Sequence, residues 1–223
     1  MTADQAYAPT ARTAPTRYRE RARYDRATVH GILDEALICH VGVVGDAGPV
    51  VLPTLHARLD ETLYLHGSTG SGPMLAAAGA PDGLPVCVTV TLVDGLVLAR
   101  SGMHHSLEYR SVVAVGNARL VRDDDEKRRA LAAVVDHVAR GRSADSRPPS
   151  ARELAATAVI ALDLVEVSAK VRTGGPVDDE EDLTLPHWAG VLPLTLQPGS
   201  PIPADDLDPA ISLPSYLVDY RRG

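Results

Sequence analysis

Phenylalanine is absent from this 223-residue chain, tryptophan occurs once and cysteine twice. Aromatic stacking on any ligand must therefore come from Trp188 or from among the seven tyrosines. Two cysteines make a disulfide framework an improbable basis for a chain of this size, and Cys39 and Cys87 each fall in the middle of an expected strand, where a free thiol behaves as a small hydrophobe. No apolar run approaches the length that crosses a bilayer, and the N-terminus is spaced with arginine and has no apolar signal core. A cytoplasmic protein with no membrane attachment is expected. A basic excess is missing too: the formal charge of -7 argues against a general nucleic-acid binder, which needs a cationic face for phosphate. No internal repeat is visible.

What remains suits one domain with tails. Residues 1–24 have no apolar periodicity and carry Arg12, Arg17, Arg19, Arg21 and Arg23, which suggests a flexible arm or a strap over a partner subunit. Residues 25–172 hold the expected domain. Residues 173–223 form an extension rich in Pro and acidic residues, expected to pack on that domain or on a partner subunit. The run Asp178 to Asp182 reads as solvated, while exposing Trp188 freely would waste apolar area, so it is expected to dock.

The stretch Leu84 to Val121 organises the domain. Val86 to Val93 is an apolar, β-branched run, Asp94-Gly95 is a two-residue hairpin signal, Leu96 to Arg100 leads back out, and Tyr109 to Val121 is a further strand. Polar residues gather at one bend, in Met103-His104-His105-Ser106 and Tyr109-Arg110-Ser111, where a rigid sheet would fix them and a loop leave them accessible. Upstream, Asp25 caps an amphipathic helix through Val29, Ile32, Leu33 and Ala36. Leu37 to Val44, Val50 to Leu59 and Leu63 to His66 read as strands, the first two joined by the turn Gly45-Asp46-Ala47-Gly48, and Pro53 marks an edge or a bulge. Gly67 to Pro73 then leads into a helix from Met74. Such a loop offers unpaired N–H groups to an anion, but it matches neither a Walker loop nor a dinucleotide fingerprint. Downstream, Asp123 to Asp125 open a helix with the stripe Leu131, Val134, Val135 and Val138, ended by Gly141. Ser150 to Glu153 is a capping box, and Val159 to Val171 reads as one last long strand.

Two chemistries fail on spacing. His104 and His105 with His66 or His187 lack the helical or Cys/His spacing of a metal site, so no metal is expected, and no Gly-x-Ser-x-Gly elbow supports a hydrolase.

The elements suggest a mainly β protein with inserted helices, folded as a small Greek-key barrel. Three motifs carry a resemblance: LYLHGSTGS at 63–71, DGLVLARSGMHHSLEYRSVVAVGNARLV at 94–121, and VSAKVRTGGPVDDEEDLTLPHWAGVLPL at 167–194. In this order, over roughly Tyr24 to Pro203, the chain resembles the pyridoxamine 5′-phosphate oxidase-related flavin-nucleotide-binding proteins, in the branch that includes the nitroimidazole-resistance proteins. The resemblance implies an FMN-binding split β-barrel, a homodimer with cofactor sites at the subunit interface, and flavin-mediated transfer of hydride or electrons from a reduced nicotinamide to a small substrate.

Carried onto this chain, the resemblance assigns His66, Gly67, Ser68 and Ser71 to the loop near the flavin phosphate. Tyr109, Arg110, Ser111, Val112 and Lys170 match two further strands of the site, Pro53 and Thr54 fall on the strand beside the isoalloxazine, and Trp188 matches a C-terminal Trp-Ala-Gly-Val segment. His66 and His105 are the candidate acid or base groups. There is one departure: relatives generally place Arg or Lys after the equivalent of Ser71, where this chain has Gly72-Pro73. Loss of a charge-assisted bond to phosphate costs about 1.5 to 3 kcal/mol, roughly ten- to a hundredfold in affinity. Heme or a deazaflavin, both found on related split barrels, are the alternative cofactors. A non-catalytic flavin- or heme-binding sensor or storage protein is the alternative function.

Overall fold

The computed structural model of the chain describes residues 6–45, 48–218 and 220. Asp46 and Ala47, the centre of the expected turn, lie outside the described residues. In chain order the elements are β1 (Ala22–Arg23), α1 (Arg26–Glu35), β2 (Ile38–Gly45), β3 (Gly48–Leu59), β4 (Thr62–Ser68), α2 (Gly72–Ala78), β5 (Leu84–Leu98) and β6 (Ser106–Leu120). They continue with α3 (Asp124–Val138), α4 (Ala151–Ala156), β7 (Thr157–Asp163), β8 (Glu166–Arg172), β9 (Gly190–Pro193) and α5 (Ser215–Val218).

The sheet order is β1-β8-β6-β7-β4-β3-β2-β5-β9, and β5 also pairs with β6. That extra pairing closes β2 to β7 into a barrel, leaving β1, β8 and β9 as additions to its wall. Closure removes most exposed strand edges, which a twisted sheet of this length would otherwise present to other chains.

Alternation decides which residues fill the barrel. Leu63, Leu65, Val88, Val90, Val112, Ile160 and Leu162 point inward and are almost wholly buried. Helix α1 contributes Val29, Ile32 and Leu33 to the same cluster, and the Asp25 carboxylate accepts from the Thr28 amide to cap it as its sequence suggested. Burying each such aliphatic side chain is worth about 1.5 to 3 kcal/mol. A second, smaller cluster forms outside the barrel, where Ala130 of α3 meets Tyr64, Val159 and Ala161. Asp123 caps α3 through the Glu126 amide, and the Ser150–Glu153 capping box is present in full.

Four sequence expectations are revised. Asp94-Gly95 is not a hairpin turn but an irregularity within one continuous strand, with the register shifting between Val93 and Gly95. Glycine stands there because a Cβ would meet the Glu108 carboxylate and Val191 at 3.1 Å. The expected strand Val159 to Val171 is broken after Asp163: the Leu164 amide donates to Glu61 O, and β7 pairs with β4 and β8 with β1, each meeting a different stretch of β6. The helix expected to run to Gly141 ends at Val138, with Ala139 as its C-cap. The arm, expected to be flexible, is packed where it is described. The Tyr7 hydroxyl donates to Glu61 Oε2 at 2.7 Å and lies 2.9 Å from His30 Nε2, Thr13 is buried, and Arg12 pairs with Glu166.

The extension packs on its own barrel in part. The Asp178 side chain, only 2% exposed, accepts from the Arg100 amide and guanidinium, both at 2.8 Å, and β9 pairs with β5. Leu196, Ile202 and Ile211 beyond it are exposed. No helix among the described residues is long and apolar enough to cross a membrane.

Candidate functional site

The residues singled out by sequence fall into three places. The first lies outside the barrel beneath α3. Because Leu63 and Leu65 face the core, Tyr64 and His66 face outward, toward α3. His66 lines a cavity of about 510 Å³ whose walls are the α3 face Leu131, Ala132, Val134 and Val135, the loop residues Ser143 and Ser146 to Pro149, and Glu153 and Thr157, with Arg128 at its margin. Its Nδ1 is buried and has no hydrogen-bond partner among the described residues. Burial pushes the imidazole below its usual value of 6.5, and no neighbouring charge contributes, so the ring is held neutral. A neutral imidazole on the wall of an apolar cavity is a Lewis base, which is the state a metal ligand needs.

Beside it on the chain, Gly67, Ser68 and Ser71 form the strand-end loop. The Ser71 amide donates to Ser68 O and the Gly70 amide to Ser68 Oγ, while the Ser71 side chain makes no capping bond to α2. Gly72 opens α2 with clear space around its Cβ position, so the missing cation is a matter of residue identity and not of room.

The second place is a sheet face. Register sets Pro53 beside His40, His40 beside Thr89, Thr89 beside Val113 and Val113 beside Ser168. The neighbouring rows add Val51, Gly42, Cys87 and Val115 on one side and Thr91, Ser111 and Lys170 on the other, with Tyr109 next to Val93. Pro53, Tyr109, Ser111 and Lys170 thus share one outward face of β3, β2, β5, β6 and β8. It is apolar or uncharged over most of its area, with Val51 63% exposed. The arm residues Arg12 to Pro15 border it, enclosing a small cavity with Ser111, Val113, Ser168 and Lys170. Thr54 and Val112 do not join this face: Thr54 is paired with Cys39 and alternates to the other side, and Val112 is in the core.

The third place is a cavity of about 910 Å³ between β5, the end of α1 and residues 194–198. Arg110 lines it, but its guanidinium is occupied. It donates to Asp94 through Nε and Nη2, at 2.9 and 2.8 Å, and to Glu35 Oε1 through Nη2 at 2.8 Å. These carboxylates raise its pKa and leave it fully charged. Arg110→Ala would strand two carboxylates beside each other, with an expected loss of about 1 to 3 kcal/mol in denaturant unfolding. It should weaken FMN and riboflavin equally, since phosphate is not what Arg110 holds.

Trp188 lies in the extension, 66% exposed, with its ring over Gly190, where a Cβ would come within 2.9 Å. His105 is exposed at the β5–β6 bend, its Nδ1 2.9 Å from Ser101 O. His104 meets Asp179 at 3.8 Å, with Asp182 beside them, a set of partly exposed groups that sequence spacing did not reveal. What sequence reasoning missed is the wall opposite His66: Arg128, the α3 stripe and Arg147 carry no spacing that ties them to His66.

A closed six-stranded barrel extended by further strands, with this strand-end loop and this bare sheet face, defines a split-barrel protein. The chain belongs to the pyridoxamine 5′-phosphate oxidase family, whose model matches residues 25–171. It is 40% identical to the flavocytochrome Anf3 from Azotobacter vinelandii over 97% of this chain and 100% of that one, with a TM-score of 0.89. It is 37% identical to an FAD and heme binding protein from Mycobacterium smegmatis, over 89% of this chain and 96% of that one, with a TM-score of 0.83. A structure named as a 5-nitroimidazole antibiotic resistance protein, from Bacteroides thetaiotaomicron, shares the fold at 24% identity, covering 67% of this chain and 86% of that one, with a TM-score of 0.56. No curated protein matches the chain.

Proposed function

We propose that the protein is a redox protein binding both a flavin nucleotide and heme, in which His66 would hold the heme iron. The single observation that carries this reading is the His66 imidazole on the wall of an apolar cavity, held neutral by burial and with its Nδ1 unclaimed by any partner among the described residues. The two similar proteins named as a flavocytochrome and as an FAD and heme binding protein support it. When bound, the flavin exchanges electrons in pairs or singly with a reduced nicotinamide and the iron takes them singly. The chain holds the imidazole neutral, excludes water with the α3 stripe, and presents Pro53, Tyr109, Ser111 and Lys170 on a face that a second subunit completes as a homodimer.

FAD fits better than FMN. With Gly72 in place of a cation, nothing in the Gly67 to Gly72 loop meets a terminal phosphate dianion with charge, whereas FAD spreads its charge over the two phosphates of a diphosphate, one on each, and adds adenosine contacts. Gly72→Lys and Gly72→Arg are expected to tighten FMN by up to roughly tenfold at low ionic strength, less as salt rises, and to shift preference away from FAD. Fluorescence titration of both flavins checks this. The function itself is tested by titrating the purified protein with hemin and with FAD. A sharpened Soret band and quenched flavin fluorescence are expected, and bleaching by NADH or NADPH separates a catalyst from a passive binder.

A further inference from the structure

The cavity that holds His66 is apolar within and cationic at its margin. Arg128, on α3, has no ion-pair or hydrogen-bond partner among the described residues. Arg147, on the opposite loop, is exposed and donates through Nη1 and Nη2 to the two oxygens of Glu153, at 3.0 and 2.7 Å. Glu153 is also bound elsewhere, since the Ser150 amide donates to its Oε2 at 2.7 Å in the cap of α4. The Arg147 pairing and the Ser150 amide hold its carboxyl down to about 2, so it is charged at any working pH. An unpaired guanidinium over an apolar hollow is a charge with no purpose in the isolated chain, and a fork-to-fork guanidinium–carboxylate pair on the opposite lip shows how the second one binds an acid.

We infer that Arg128 and Arg147 recognise the carboxylate groups of the apolar ligand held in this cavity, with Glu153 occupying Arg147 until a ligand carboxylate replaces it. This rests on the heme reading above and goes beyond it, assigning the rim as the element that selects a dicarboxylate macrocycle over an uncharged one. Exchange leaves Glu153 on the Ser150 amide, so the helix cap survives. The loop from Arg142 to Pro149 then closes against the ligand through Arg147, while its other end stays tied, the Ser143 amide and hydroxyl donating to Asp136 at 2.9 and 2.7 Å.

The test compares hemin with its dimethyl ester on the full chain, by Soret titration. Wild type should bind hemin about tenfold or more tightly than the ester at low ionic strength. Arg128→Ala and Arg147→Ala should each weaken hemin several-fold and leave the ester unchanged, and Glu153→Gln should tighten hemin while leaving the ester unchanged. The ester complex should keep the same Soret maximum, because ligation by His66 does not depend on the carboxylates. Equal affinities for hemin and ester, or equal losses for both in the arginine variants, overturn the inference while leaving heme binding intact. Absence of any Soret change in wild type overturns both.

Discussion

His66→Ala is expected to reduce hemin affinity by at least two orders of magnitude, about 3 kcal/mol or more, and to erase the sharpened Soret band of the wild-type complex. The iron–imidazole bond is the one strong directional contact that the cavity offers; its other walls are aliphatic, proline, hydroxyl or charged groups that do not ligate iron well. The substitution should not harm the fold, since it removes a buried nitrogen that had no partner among the described residues. Unchanged far-ultraviolet circular dichroism and unchanged FAD affinity would show this. His105→Ala is the matched control: that ring is exposed at a strand bend and its removal should leave the Soret titration as it was. The pH dependence follows from the sign of the His66 shift. Desolvation lowers its pKa, so the ring stays neutral and ready to ligate at and somewhat below the ordinary 6.5, and hemin affinity should fall only on acidification past the lowered value. By the same linkage the unfolded chain takes up this proton first, so His66 costs stability as pH falls through 6.5 toward the lowered value. A His66→Ala protein with the wild-type Soret spectrum and affinity would remove the heme assignment from this cavity.

The contrast between what could and could not be read from sequence follows the range of the interactions. Asp25, Asp123 and the Ser150–Glu153 box act within one helical turn, and each does what its sequence suggested. The barrel strands were legible from β-branched runs, because alternation marks the inner face. Asp94-Gly95 misled because a dipeptide common in hairpins serves here to admit Val191 and Glu108 closely, and only the pairing of β9 with β5 reveals it. Arg110 lies in a strand motif that the resemblance placed in the flavin site, but Asp94 and Glu35, the latter 75 positions away, claim its guanidinium. The wall of the His66 cavity joins β4 to α3 and to the loop before α4, three segments whose spacing carries no pattern. Nor does alternation say whether an outward face meets water or protein. In β3, Val51 and Pro53 are as apolar as a core strand, yet they lie bare in the single chain.

That bare face leads to the second large expected effect. Val51→Asp should convert the proposed dimer to a monomer of 23.6 kDa at micromolar concentration, observed by sedimentation. Rows of Val51, Gly42, Cys87 and Val115, then Pro53, His40, Thr89 and Val113, run across β3, β2, β5 and β6, with Glu166 and Lys170 on β8 at the far edge. Soluble proteins rarely gather so many exposed apolar side chains on one sheet face, and two copies related by a two-fold axis can share such a face. Closed on itself in this way, the interface would meet each substitution twice. Two carboxylates placed in it without partners would cost on the order of 4 to 8 kcal/mol in all, enough to raise the dimer dissociation constant roughly a thousandfold or more. The fold of each subunit should survive, because Val51 is exposed in the single chain and contributes little to its core. Flavin affinity should fall with the dimer, since Pro53, Tyr109, Ser111 and Lys170 all lie on the face that the second subunit would complete, whereas hemin binding should persist, its cavity being built from β4, α3 and α4 of one chain. A Val51→Asp protein that stays dimeric with full flavin affinity would mean that another surface joins the subunits and that the flavin lies elsewhere. Joint loss of flavin and hemin would instead place the His66 cavity at the subunit boundary.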